Sequence, residues 1–138
     1  MTDRRIERIK RVREIECMLI NRYSDRAILR GQERSTLWTS EKYVIEKFIP
    51  KSARILDVGC GVGREAFSLV ELGYKDIFCI DISERAIKRL NYLKRRKIDK
   101  NKRKDKNKRK VDKSYEGVKI RSKVTNIVNF KSIFSSFN

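Results

Sequence analysis

Apolar side chains in the first fifty residues recur at helical spacing in two places. Between residues 3 and 22, Ile6, Ile9, Val12, Ile15, Met18 and Leu19 interrupt a charged run every three or four positions, the period of a single helix face. Thr2 stands where a cap is needed. The plain expectation is an amphipathic helix laid on the domain, although a basic amphipathic helix also suits a membrane surface or RNA. From Asn21 to Thr39 the period is broken, with Gly31 inside the break. Ser40 then precedes Tyr43, Val44, Phe48 and Ile49 at helical spacing, and Pro50 ends that helix because it cannot continue the hydrogen-bond ladder. Residues 1–50 therefore read as an N-terminal helical cap.

The rhythm then changes. Ala53 to Val58 is a short apolar run, Gly59 to Gly63 holds three glycines, and Glu65 to Leu72 returns to helical spacing through Ala66, Phe67, Leu69 and Val70 before Gly73. Asp76 to Ile80 repeats the strand pattern. After Asp81, Ser83 is placed to cap a helix carrying Ala86, Ile87, Leu90 and Leu93. Gly117 to Val124 alternates Val118, Ile120 and Ser122 with Lys119, Arg121 and Lys123, and Ile127, Val128 and Phe130 follow. Strands alternating with helices predict an α/β fold with a parallel sheet. Its strands fall at 53–58, 76–80 and about 117–124.

Composition changes this picture at one segment. Residues 94–113 hold thirteen Lys or Arg against three Asp, with only Ile98 and Val111 apolar. Such a stretch is too polar to bury a core face, so it reads as an exposed, mobile low-complexity insertion between the second helix of the α/β unit and its third strand. Over the whole chain 36 Lys and Arg face 18 Asp and Glu, a net charge of +18, which suits nucleic acid, an anionic membrane or acidic proteins. The insertion is the candidate nucleic-acid contact, although it lacks aromatic residues for base stacking. A length of 138 residues allows one domain. Three cysteines without a CxxC spacing and no histidine make zinc and disulfide frameworks poor fits. With no secretory signal and no apolar run of membrane-spanning length, a cytoplasmic setting with reduced thiols is expected.

The candidate chemistry lies in Ile55-Leu-Asp-Val-Gly-Cys-Gly-Val-Gly63. Glycines at 59, 61 and 63 let the chain turn sharply at a strand end and pass close to a ligand. The following helix offers free N–H groups. A dinucleotide loop of the form G-x-G-x-x-G requires its third glycine where Arg64 stands. Asp57, two residues before the first glycine, would repel a pyrophosphate and attract a cation. Asp81 closes the next strand, where a carboxylate can take ribose hydroxyls. Loop, Asp57 and Asp81 together call for a nucleoside with a positively charged tail.

Asp57-Val-Gly-Cys-Gly-Val-Gly-Arg-Glu-Ala66 followed by Ile80-Asp-Ile-Ser83 resembles motif I and the acidic loop of the class I S-adenosylmethionine-dependent methyltransferases. The match is specific from about Arg54 to Leu93. It implies a Rossmann-like three-layer fold with helices on both faces of the sheet, and S-adenosylmethionine as cofactor. It also implies that Asp57, Gly59, Gly61 and Gly63 surround the methionine part, that Asp81 holds the ribose and that Ile82 lies against adenine. Asn126 occupies the place where the family tends to carry an aspartate for the adenine amino group. Cys60 fills a loop position that is often cysteine in the family, and with no histidine to activate it a nucleophilic role is poor. By the same resemblance the chain stops before the fourth strand, leaving strands 1 to 3 of an incomplete sheet in residues 51–138 and one edge of the first strand unpaired. The methyl acceptor is not legible; Tyr23, Arg34 and Trp38 are candidate contacts for it. Two other functions stay open: a nucleic-acid-binding module on the same fold, and an inactive fragment.

Overall fold

The structure, a computed structural model, describes residues 3–106 and 113–126. Among these, the elements follow in the order α1 (Asp3–Tyr23), α2 (Arg26–Arg34), α3 (Thr39–Phe48), β1 (Arg54–Val58), α4 (Arg64–Glu71), β2 (Asp76–Asp81), α5 (Glu84–Lys106) and β3 (Lys119–Val124), with a 3₁₀ turn at Lys113–Tyr115 before β3. The three strands are parallel in the order β1-β2-β3, so the α/β fold with a parallel sheet is what the alternating pattern foretold.

Register sets the core. Ile55, Ile77 and Ile120 stand side by side across the sheet. Since side chains alternate between faces, they share a face with Cys79. α4 brings Ala66, Phe67, Leu69 and Val70 to this face, and α5 brings Ile87 and Leu90. Each of the Ile, Leu, Val and Phe side chains contributes roughly 1.5–3 kcal/mol when fully removed from water. On the opposite face Leu56, Phe78 and Ile80 form a smaller cluster. Arg121 lies over the Phe78 ring and pairs with Asp76 at 2.7 Å. Tyr74 ties the cap to this core: its ring is fully buried and its hydroxyl lies 3.1 and 2.8 Å from the Ile45 and Ile49 carbonyl oxygens at the end of α3.

Three segments depart from the pattern reading. Residues read as a broken stretch contain α2, whose first turn is capped by Asp25 accepting from the Ala27 and Ile28 amides at 2.7 and 3.2 Å. Gly31 sits inside this helix rather than ending it, a cost of about 1 kcal/mol relative to alanine that packing of Leu29 offsets. The basic run from residue 94, expected as a mobile insertion, continues α5 as far as Lys106. Lys and Arg are good helix formers, and their long stems can lie along apolar surface. Lys94 Nζ donates to the Ile120 carbonyl at 3.0 Å, and Lys97 lies over the Phe67 ring and pairs with Glu71.

The third departure is α1. It is helical as expected, but no residue of it is buried, and Ile15 and Met18 are 53% and 61% exposed. Hydrophobic period identifies the apolar face of a helix, not the surface that covers it. Among the described residues, the last turns of α1 meet the domain through Glu16, Leu19 and Tyr23. Thr2, residues 107–112 and the apolar run Ile127, Val128 and Phe130 lie outside the described residues. No described helix is long and apolar enough to cross a membrane.

Candidate cofactor site

A cavity of about 390 Å³ opens at the carboxyl ends of the three strands, the edge at which ligands enter open α/β sheets. Val58, Gly59 and Gly61 form one wall, Ile80, Asp81 and Ile82 the next, and Thr125 and Asn126 the third. Leu19 and Tyr23 from α1 and Gln32 from α2 close it from the N-terminal side.

The glycine loop is held by β2. The amides of Gly59 and Cys60 both donate to the Ile80 carbonyl, at 2.8 and 3.1 Å, and the Gly61 amide donates to Asp81 Oδ2 at 2.8 Å. Asp81 Oδ1 accepts from the Ser83 amide at 2.7 Å, and Ser83 Oγ caps α5 by accepting from the Ala86 amide. Asp81 thus lines the cavity and at the same time fixes the loop. Each carboxylate oxygen retains a second acceptor site.

Two glycines are required by protein neighbours and not only by a ligand. A Cβ on Gly61 would collide with Oε1 of Gln32, and one on Gly63 would lie 3.0 Å from Phe67 and 3.2 Å from Leu90. Both have positive φ, 53° and 94°, which side chains rarely adopt. Gly63 therefore faces the core and starts α4, while Gly59 faces open space at the cavity wall.

Asp57, expected at the site, is not among the residues that line the cavity, but it is where the electrostatics concentrate. Its Oδ2 is buried and accepts no hydrogen bond. Burial first, and then the nearby Glu65 and Asp81 carboxylates, push its carboxyl up to about 7 against the opposing pull of Arg64. Arg64 is itself committed elsewhere: it pairs with Glu65 and Glu41 and donates to the Thr36 carbonyl at 2.9 Å, clamping the segment before α3 to α4. An uncompensated buried acceptor is costly. A second one, Gln32 Oε1, stands at the cavity wall.

The remaining residues expected at the site divide. Ile82 and Asn126 line the cavity, and the Asn126 amide nitrogen donates to Glu16 of α1. Cys60 does not: it is buried in the core beside Cys79, where the hydrogen bond between the two thiols and burial both raise its pKa. Tyr23 reaches the cavity, whereas Trp38 is 71% exposed and its amide caps α3 through Glu41. Gln32 escaped sequence reasoning because its helix did; the Asp25 cap was the available signal. Among the described residues no group of three His, Cys, Asp or Glu side chains is placed to hold a metal ion.

A family model described as a methyltransferase domain matches residues 49–129, more than half of the chain. The chain belongs to the methyltransferase-domain family. The stretch of this methyltransferase domain from the end of α3 to just past β3 is the part the model covers, and it contains the whole glycine loop and both acidic residues. The ribosomal protein L11 methyltransferase of Acetivibrio thermocellus is 29% identical over 86 residues, which cover 62% of this chain and 28% of that protein. The eEF1A lysine and N-terminal methyltransferase of Homo sapiens is 40% identical over 47 residues, 34% of this chain and 7% of that protein. Among solved structures, a SAM-dependent methyltransferase of Methanosarcina mazei aligns with 67% of this chain and 35% of its own, at 25% identity and a TM-score of 0.46. The methyltransferase domain described here thus corresponds to a minor part of each relative's length.

Proposed function

We propose that this methyltransferase domain binds S-adenosylmethionine in the cavity beside the glycine loop and forms the cofactor-binding part of a methyl-transfer enzyme. The observation that carries the reading is the buried, unpartnered Oδ2 of Asp57 in a cluster of carboxylates, within a chain whose net charge is +18. A site that gathers mutually repelling carboxylates at the end of a strand is built for a positively charged ligand.

Each residue takes a distinct part. Asp57 faces the positive charge of the methionine end, with Gln32 Oε1 as a second acceptor. Gly59 leaves the wall open, and Gly61 and Gly63 shape the turn to which Cys60 contributes backbone. Asp81 uses its remaining acceptor sites on the ribose hydroxyls, Ile82 lies against adenine, and Asn126 accepts from the adenine amino group. Leu19 and Tyr23 close over the ligand as part of the cap. The bound cofactor supplies an electrophilic methyl group; the protein supplies alignment and a water-poor setting. The acceptor is a separate molecule of unassigned class.

Titration calorimetry with S-adenosylmethionine tests the proposal. Saturable binding that is lost in Asp57→Asn is expected. Absence of heat at millimolar ligand, in a sample shown by circular dichroism to be folded, overturns it.

A further inference from the structure

Beside the cofactor cavity, α2 and α5 line a groove of about 340 Å³ with Arg26, Leu29, Arg30, Glu33, Arg85 and Arg89. Four arginines face one glutamate there, an excess of three positive charges. Arg89 is paired with Glu33 through two bonds of 2.5 and 2.9 Å, which fixes its position. Arg85 donates to the Ser24 carbonyl at 2.9 Å. None of Arg26, Arg30 and Arg85 is balanced by a carboxylate among the described residues.

Past the groove, the basic face continues along α5. Arg85, Arg89, Tyr92 and Arg96 are spaced four, three and four residues apart, so they fall on one face of the helix. The Arg89 and Arg96 guanidinium groups lie 4.8 and 5.7 Å from the centre of the Tyr92 ring, and Tyr92 is 42% exposed. The result is a row of three planar groups beside a cationic groove. The stretch from Arg85 to Arg96 measures about 17 Å along the helix. That matches about five bases at the roughly 3.4 Å rise of a stacked strand.

We propose that this face binds single-stranded nucleic acid, with the α2 and α5 arginines on the phosphates and unpaired bases stacked on Tyr92 and its flanking guanidiniums. Phosphate groups need cations in a row, and unpaired bases need flat, exposed partners; a lipid headgroup or an acidic peptide uses only the first. The aromatic group that the basic run itself lacks is supplied two residues before it. The groove is also near the cofactor cavity. Ser24 and Ser83 are hydrogen-bonded at 2.8 Å and follow Tyr23 and Ile82, which line that cavity. The end of the groove at the start of α5 therefore lies near the cofactor cavity. Binding to the groove requires no cofactor, so it stands or falls separately from the calorimetric test above.

The test is fluorescence anisotropy of the full chain with labelled twelve-nucleotide oligouridylate and oligothymidylate, against a twelve-base-pair duplex, inorganic polyphosphate and phosphatidylserine vesicles as competitors. Single strands are expected to bind best. Tyr92→Ala should weaken them about tenfold without changing polyphosphate binding, and Tyr92→Phe should stay within about twofold of the parent. Arg26→Gln with Arg30→Gln should flatten the slope of log affinity against log salt by about 1.4 for single strands. These side chains are exposed, and circular dichroism checks that the variants remain folded. Unchanged affinity in folded Tyr92→Ala and in the double arginine variant overturns the proposal, as does polyphosphate, duplex or vesicle binding equal to that of the single strands.

Discussion

The cofactor cavity and the α2–α5 groove are neighbours of opposite sign. Beside the first, burial and then the Glu65 and Asp81 carboxylates raise the Asp57 carboxyl to about 7; the second sets four arginines around Glu33. They are separated by little more than the Ser24–Ser83 hydrogen bond. Net charge describes what the chain meets at a distance, since it sums into a long-range field. Local burial decides what a site can hold, because a desolvated carboxylate with no donor is far from its ordinary energy whatever the distant lysines do. In a chain of +18, that cluster of carboxylates is the less expected of the two.

The largest expected effect distinguishes the structural from the ligand-facing glycine. Gly63→Val places a branched side chain against Phe67 and Leu90 at a φ of 94°. It should destabilise the domain by about 3 kcal/mol, from overpacking and backbone strain together, and thermal melting should show this with both cavities lost. Gly59→Ala meets no protein atom; it should cost about 1 kcal/mol of backbone strain while weakening S-adenosylhomocysteine binding. Equal melting temperatures for the two variants would refute the division of labour within the loop.

Asp57 comes next, and its sign is unusual. A carboxyl that holds its proton up to about 7 in the folded chain, against an ordinary 3.8, binds protons more tightly folded than unfolded. Its contribution to stability is therefore complete below about pH 4 and is lost as pH rises to 7, a penalty on the order of 4 kcal/mol at higher pH. Asp57→Asn should recover part of it, about 2 kcal/mol at pH 8 in denaturant unfolding, while cofactor binding falls more than tenfold. In the parent chain, affinity for the cationic cofactor should rise as pH is raised through about 7, because binding a cation favours the ionised form. A flat affinity between pH 6 and 8 would remove Asp57 from the site.

The smallest effect tests the wall between the two cavities. Glu33→Gln breaks the pairing with Arg89, whose side chain is 39% exposed against 20% for Glu33. Partly exposed pairs contribute about 0.5–1 kcal/mol, so melting should drop by only a few degrees. Calorimetry should show cofactor affinity unchanged, and anisotropy should show single-strand affinity slightly raised by the extra net positive charge. A large loss of cofactor binding would mean that the two cavities are one mechanical unit.

Much of this was legible in the residues because local rules govern it. Strand, glycine loop, helix and acidic strand end are short-range signals, and they placed β1, α4, β2 and the start of α5 within a residue or two. The helix α2 was obscured by Gly31 and by an apolar content too low for its period to stand out, although Asp25 marked its start. The basic run could be recognised as charged but not as helical, because charge density argues against burial while Lys and Arg individually favour helix. Whether Lys94 and Lys97 find Ile120, Glu71 and Phe67 is decided by elements distant in sequence.

The sequence by itself determined the fold class, the glycine turn and its departure from the dinucleotide spacing at Arg64, since these depend on residue type and on spacing within about thirty residues. Tertiary structure alone decided that Asp57 has no donor, that Cys60 faces the core, that Asp81 is already engaged with the loop, that Gln32 reaches Gly61, and that Tyr92 stands between two arginines beside a second groove. Those facts follow from which surfaces meet and which polar atoms find partners there, and no periodicity along the chain encodes them.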